Sequence, residues 1–570
     1  MSEASVPAPG AGETGGSGQG AWAGGTAALD PNRWRILVII AIAQLMVVLD
    51  ATVMNIALPS AQNALHFTNV DRQWIVTAYS LTFGSLLLFS GRLSDLLGRR
   101  VMFMTGLAGF AAASAVGGAS VSFTMLVTAR ACQGAFGAML APAALSLLAT
   151  TFTEPSERGK AFGIYGSVAA GGGAVGLLLG GVLTSYLSWR WCLYVNLIFA
   201  AIAITGAVMW LHKQTGPRTG QLDVPGVILV SSGVFCLVYG FSNAATHDWS
   251  TPSTWGFLAA GVVLLTAFAF WMTKAKSPLL PPRIVLDRNR GGAYLGILIT
   301  GAGMFGIFLF LTYYLQTTLK YSPVITGLAF LPMVACIAVA SNLSNIVLMP
   351  RIGPKPIVST GLVLAAAGMA WLTRIGPHSG YVDTVLFPIM LTGLGLGLMF
   401  STAFNTGTYG VSPRDAGVAS ATVNTGQQLG GSIGTSLLNT IAASATTAYL
   451  VGLHAKPTSA QTQLALIHGY TTAFWWVAGI FLTGAVVCGT LMRRGPLQPA
   501  GTQGAPSATA TAQTGAAVRS ELSPVSPGGA TPRNPRLFSP GGRPPGTPRL
   551  PLNGARASGR VRLVMTARRL

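Results

Sequence analysis

One acidic residue lies deep in an apolar stretch near the start of the chain. Asp50 comes fourteen residues after Ile36, and no other Asp or Glu lies well inside an apolar run of the 570-residue sequence. A carboxylate inside a membrane is energetically costly and is usually functional, for example as a proton carrier. Asp50 is therefore a candidate proton-binding group, and the alternative is a structural acid that pairs with a polar neighbour.

The matching base is Arg130, which lies in another apolar stretch. An α-helix places Asp50 about 21 Å from one end of its span and Arg130 about 10 Å from the opposite face. In a hydrocarbon core of about 30 Å the two side chains reach nearly the same depth. We therefore expect Asp50 and Arg130 to form a pair.

A second charged group, residues 91–100 with the sequence GRLSDLLGRR, separates two apolar runs. Glycines allow helix ends to approach closely, and an acid can meet an Arg or the positive end of a neighbouring helix. The pattern G-x-x-x-D-x-x-G-R-R resembles the signature loop of the major facilitator superfamily, and we call these residues the signature loop. The resemblance implies a conformational role for Gly91, Asp95, Gly98, Arg99 and Arg100.

Two further segments resemble transporter motifs, the first of them a motif of drug:proton antiporters with fourteen spans. Residues 49–59, LDATVMNIALP, resemble their first-span motif, and residues 126–143, LVTARACQGAFGAMLAPA, resemble the fourth-span motif of the superfamily. The resemblance implies that Asp50 and Arg130 couple transport to protons. The substrate would be a small molecule, such as a drug or antibiotic, that is exchanged for protons.

Glycines recur every fourth residue in the fifth apolar run, which allows another helix to pack at backbone distance. This stripe resembles the exporter motif G-x-x-x-G-P-x-x-G-G, although Leu177 replaces its proline. Simple helix packing is the alternative explanation. The motif residues are Gly172, Gly176, Gly180 and Gly181.

The composition indicates a polytopic membrane protein, because 51% of the residues are hydrophobic and only 9% are charged. The net charge of +21 comes from short loops and the last residues, so we expect membrane lipids as partners and no nucleic acid. Five cysteines without C-x-x-C and six histidines without H-x-x-x-H predict no metal site. We also expect no cofactor, no catalytic residues and no enzymatic activity.

Fourteen apolar runs predict an all-α polytopic membrane protein, and the resemblance implies a major facilitator fold of two six-helix bundles plus a two-helix insertion. The predicted parts are a disordered N-terminus (1–32), an N-terminal bundle (33–213), the insertion and its cytoplasmic loop (214–290), a C-terminal bundle (291–494) and a disordered Arg/Pro-rich tail (495–570). Residues 349–356, MPRIGPKP, stand where a second signature loop belongs and indicate a degenerate internal duplication.

The basic residues predict the orientation. Outside the tail, nineteen Lys or Arg lie on the side of the signature loop and five lie opposite. Cytoplasmic loops carry more Lys and Arg, so both termini should be cytoplasmic in a cell membrane. The composition favours a bacterial source, and we expect a monomer.

The leading hypothesis is a proton-coupled exporter of amphipathic drugs that works by alternating access. The alternatives are an exporter or symporter of a specific metabolite and, more remotely, a membrane sensor without transport. Polar and aromatic residues that could line a substrate cavity are Asn55, Tyr79, Gln133, Asn424 and Gln427.

Overall fold

The computed structural model describes residues 30–67, 69–211, 221–247, 249–453 and 457–497, without the side chains of residues 55, 69–73 and 245–247. The predicted disordered lead and tail therefore lie almost entirely outside the described residues. Fourteen long helices make up the described chain: α1 (Arg33–Leu65), α2 (Asn69–Leu97), α3 (Arg99–Gly118), α4 (Phe123–Thr151), α5 (Pro155–Tyr186), α6 (Trp191–Trp210), α7 (Val224–His247), α8 (Pro252–Lys274), α9 (Arg288–Tyr313), α10 (Pro323–Leu343), α11 (Pro354–Leu372), α12 (Phe387–Thr408), α13 (Ala416–Val451) and α14 (Ser459–Leu491).

Thirteen of the described helices are long and apolar enough to cross a membrane. The remaining long helix, α13, carries Asn, Gln, Ser and Thr at many positions and is less apolar. It packs against α9 and α14 on one side and against α2, α4 and α7 on the other. Because protein rather than lipid surrounds much of it, its polar residues are compatible with membrane depth.

Several helices run further than the apolar runs predict. The apolar run of α1 ends near residue 58 and that of α13 near residue 442, but the helices continue to Leu65 and Val451. The apolar run of α14 begins near residue 471, but the helix begins at Ser459, where Thr458 and Gln461 form a capping box. Apolar composition marks only the part of a helix that contacts hydrocarbon, and local capping determines where the helix ends.

The helices form two six-helix bundles, α1–α6 and α9–α14, as the resemblance noted above implies. The bundles meet along two seams, at which α5 packs against α10 and α12, and α2 and α4 pack against α13. In the insertion, α7 contacts both α2 and α13. Asp223 accepts the Gly226 N–H at 3.1 Å and the Trp271 indole N–H at 2.9 Å, which ties α7 to α8. The exact domain boundaries stay predictions.

The loops before α3 and α11 have the same backbone feature. Gly98 has φ of 99° and Gly353 has φ of 76°, a region that side-chain-bearing residues rarely adopt. Each glycine immediately precedes the first residue of its helix, Arg99 in α3 and Pro354 in α11. This correspondence supports the predicted internal duplication.

Candidate functional site

The structure brings the two embedded charges together inside the N-terminal bundle. Arg130 Nη1 on α4 lies 2.5 Å from Asp50 Oδ2 on α1, and each side chain is 1% exposed. The pair thus forms without access to water on either partner. A buried ion pair of this kind needs further hydrogen bonds to offset desolvation.

Neutral polar side chains from three helices complete the site. Asp50 Oδ1 accepts the side-chain amides of Gln133 on α4, at 3.0 Å, and Asn196 on α6, at 2.8 Å. Gln133 also donates to Ser114 Oγ on α3, at 2.7 Å, and accepts from Arg130 at 2.9 Å. Arg130 and Gln133 lie three residues apart, so they point from the same face of α4. Both carboxylate oxygens of Asp50 are therefore engaged.

Helix α2 covers the remaining face of the cation. The guanidinium carbon of Arg130 lies 4.4 Å from the centre of the buried Tyr79 ring. Arg130 Nε also donates to the Ile75 carbonyl at 3.4 Å. An aromatic face stabilises a cation, more strongly where water is excluded. Five of the six helices in this bundle thus converge on one charge pair.

The glycine stripe on α5 packs directly beside this site. A Cβ at Gly176 would lie 1.9 Å from Thr52 Oγ1, and one at Gly180 would lie 3.1 Å from Val53 Cα. Gly172 faces Val48 in the same way. These α1 residues flank Asp50, so α5 holds the segment that carries the acid. Gly181 faces the other way, toward Pro323 at the start of α10.

The signature loop contacts the opposite bundle. Asp95 accepts the backbone N–H groups of Gly417, at 2.9 Å, and Val418, at 3.2 Å, at the N-terminus of α13. Arg99 donates to the Pro413 carbonyl and lies 3.9 Å from Asp95. The helix end is therefore the nearer partner of Asp95.

The remaining loop residues have separate positions. A Cβ at Gly91 would lie 2.7 Å from the Gly417 carbonyl oxygen, so this glycine allows the two backbones to cross. Gly98 makes the turn into α3, and Arg100 is the half-buried second residue of that helix.

The five cavity candidates do not form one group. Tyr79 and Gln133 belong to the charge-pair site, whereas Asn424 is buried and donates to Ser420 O on its own helix at 2.9 Å. Gln427 is half-buried on α13, and the side chain of Asn55 lies outside the description. A cavity-lining role for these residues stays a prediction.

Sequence reasoning missed Asn196 and Ser114. Asn196 was detectable as an amide within an otherwise apolar span, which is a signal for an internal partner. Ser114 gave no comparable signal, because a serine in a helix can bond to its own backbone.

The chain matches known proteins over most of its length. The Major Facilitator Superfamily profile matches residues 40–435. The puromycin resistance protein pur8 of Streptomyces alboniger is 48% identical over 81% of this chain and 92% of its own. The cephamycin export protein CmcT of Amycolatopsis lactamdurans is 38% identical over 72% and 85%, respectively.

One further relative and one solved structure also match the chain. The tetracenomycin C resistance and export protein of Streptomyces glaucescens is 34% identical over 72% of this chain and 76% of its own. The solved structure of the human organic anion transporter MFSD10 covers 80% of this chain and 100% of its own, with a TM-score of 0.56 and 16% identity. That structural likeness concerns the fold alone.

Proposed function

The chain belongs to the Major Facilitator Superfamily, and we propose that it is a proton-coupled exporter of amphipathic drugs or antibiotics that works by alternating access. It is a multi-pass membrane transporter. The substrate class comes from relatives that are named for resistance to, or export of, puromycin, cephamycin and tetracenomycin C. The signature loop and both termini are assigned to the cytoplasm by the distribution of basic residues.

The single observation that carries proton coupling is the buried pair of Asp50 and Arg130. An uncompensated charge at this depth would cost at least ~2.5 kcal/mol on insertion scales. A proton on Asp50 would remove the charge that Arg130 pairs with and would leave the guanidinium to find other acceptors. Gln133 Oε1 and the Ile75 carbonyl already accept from Arg130. These acceptors support the proposal that the site alternates between two charge states with different hydrogen bonding.

The packing around the site supports a link between this charge state and helix positions. Thr52, two residues beyond Asp50, contacts Gly176 of α5. The same helix packs on α10 and α12 of the other bundle. A change around Asp50 can thus reach the seam between the bundles through one helix. Coupling of this kind needs two arrangements of that seam, which alternating access supplies.

A transporter for one specific metabolite is the second candidate. The observation that favours it is that each of the three relatives described above is named for one antibiotic or antibiotic class. Leu177, at the position of the exporter motif's proline, is consistent with it. The two candidates differ in the breadth of compounds that the chain should export.

Drug accumulation in an efflux-deficient bacterial host tests the proposal. Cells that express the chain should accumulate less puromycin than cells with empty vector, and a protonophore should remove the difference. A panel of cephamycin, tetracenomycin C, lincomycin and a cationic dye separates a broad exporter from a specific one. If the protein is present in the membrane but the accumulation of all these compounds is unchanged, drug efflux is the wrong function.

A further inference from the structure

A buried arginine joins the two bundles at the cytoplasmic end of α5. Arg158 is 7% exposed and donates from Nε to Asn405 Oδ1 at 2.9 Å and from Nη2 to Thr408 Oγ1 at 3.0 Å. Both acceptors lie on α12 of the opposite bundle. On its own side, Arg158 Nη1 donates to the Ala149 carbonyl at 2.8 Å. The side chain therefore spans the seam between α5 and α12.

The acceptors around this cation are neutral. Among the residues that the structure describes, no carboxylate lies within ion-pair distance of Arg158. The adjacent acid Glu157 instead makes two bonds to Arg33, at 2.6 and 2.8 Å. The rings of Phe162 and Tyr409 lie 4.6 and 5.6 Å from the guanidinium carbon. The positive charge is thus held by an amide, a hydroxyl, carbonyls and aromatic faces.

The opposite bundle orients the amide that receives Arg158. Asn405 Nδ2 donates to Asn345 Oδ1 at 2.9 Å, which directs its Oδ1 toward the guanidinium. The backbones also approach closely here, since a Cβ at Gly159 would lie 2.6 Å from the Asn345 carbonyl oxygen. A Cβ at Gly166 would lie 2.5 Å from Ser401 Cβ. The contact is therefore part of a tightly packed seam.

Resting on the transport function proposed above, we propose that Arg158 and Asn405 are positioning residues that form a releasable latch between α5 and α12. This latch closes the cytoplasmic end of one seam, and Asp95 with the N-terminus of α13 closes the other. A neutral acceptor suits a latch that must open in every transport cycle. When the seam opens, Asn405 leaves no unpaired carboxylate behind, whereas breaking a buried ion pair leaves a costly uncompensated charge.

The critical variant is Asn405→Asp, which converts the latch into an ion pair of nearly unchanged shape and removes the hydrogen bond from Nδ2 to Asn345 Oδ1. Hydrogen exchange in lipid nanodiscs should slow in peptides covering residues 155–166 and 399–408. The equilibrium constant for opening the seam should fall about tenfold, which corresponds to ~1.4 kcal/mol. In vesicles the maximal transport rate should drop while KM changes little. The double variant Arg158→Gln with Asn405→Asp should reverse the exchange effect, because its carboxylate has lost the cation.

Two further variants keep the test decisive. Asn289→Asp adds an acid on the same membrane face but within the C-terminal bundle, where Asn289 accepts the Arg493 N–H, and it should leave exchange at the seam unchanged. If Asn405→Asp fails to fold, Thr408→Val removes one neutral acceptor and should speed exchange at the same peptides. Equal or faster exchange in a folded Asn405→Asp protein, or unchanged exchange in Thr408→Val, would overturn the latch.

The exchange measurement needs no substrate, so it separates the latch from the transport function. If the wild-type protein transports none of the drugs but the variants still show the predicted order of exchange rates, only the transport function fails. If the wild-type protein exports drugs but the variants show no such order, the transport function stands and the latch hypothesis fails.

Discussion

Asp95 of α2 and Gly417 of α13 meet across the seam between the two bundles, where the carboxylate accepts the backbone N–H at 2.9 Å. A second N–H, from Val418, reaches the other carboxylate oxygen at 3.2 Å. The N-terminus of a helix carries a partial positive charge, so an acid from one bundle caps a helix of the other. This contact holds the cytoplasmic ends of α2 and α13 together in the observed state.

Asp95→Asn should lower transport without lowering the amount of protein in the membrane. Asparagine caps helices well but has no negative charge, so the charge–dipole contribution of about 0.3–1 kcal/mol is lost. Asp95→Ala should have the larger effect because both acceptors are removed. Uptake by inverted vesicles, normalised to protein detected in the same vesicles, measures this. Wild-type transport in Asp95→Ala would limit the signature loop to a role in topology.

Gly176→Leu should sharply reduce activity, because even a Cβ at this position would lie 1.9 Å from Thr52 Oγ1. Overpacking typically costs ~1–3 kcal/mol, and here it displaces the segment that carries Asp50. Thermal unfolding in detergent and drug efflux should both be measured. Gly479→Leu is the matched control, since nothing lies within 4 Å of a Cβ there. In a Gly176→Ala variant, adding Thr52→Ala should restore part of the activity that the alanine Cβ removes.

The charge pair could be predicted from sequence because the rise per residue of an α-helix is constant. Asp50 and Arg130 are the embedded acid and base, and the constant rise per residue places them at one depth. The neutral residues around them could not be placed in the same way. Asn196 and Ser114 face the pair because of how α6 and α3 rotate about their axes, and side-chain packing decides that rotation.

The partner of Asp95 illustrates the same limit. Sequence reasoning allowed either an arginine or the positive end of a helix, and the structure shows the helix end at hydrogen-bond distance with Arg99 at 3.9 Å. The choice depends on where α13 begins. Asp415 immediately precedes α13, and its carboxylate lies 2.8 Å from the guanidinium of Arg283. Arg283 lies in the loop after the insertion. A contact between such distant segments has no local sequence signal.

Asn196→Leu should destabilise the folded protein and slow transport, because Asp50 Oδ1 loses a donor at 2.8 Å. A hydrogen bond to a charged group contributes about 1.5–3 kcal/mol, and Gln133 remains as the second donor to this oxygen. Asn196→Gln keeps the amide and should retain more activity if the longer side chain reaches the carboxylate. Unfolding temperature and initial efflux rate measure the two effects. An Asn196→Leu protein with wild-type stability and efflux would show that Gln133 and Arg130 suffice to hold Asp50.

Asp50→Asn should abolish proton-driven efflux while drug binding is partly retained, because the variant keeps the shape of the side chain and removes its charge. Arg130→Lys keeps the cation but loses the planar set of donors that reaches Asp50, Gln133 and the Ile75 carbonyl. It should therefore impair coupling less than Arg130→Ala, which leaves the buried carboxylate unpaired. The measurement is drug-induced proton movement in reconstituted vesicles under an imposed pH gradient, with Asp383→Asn, an exposed acid, as the control. If Asp50→Asn exchanges protons for drug at the parent rate, another group carries the proton.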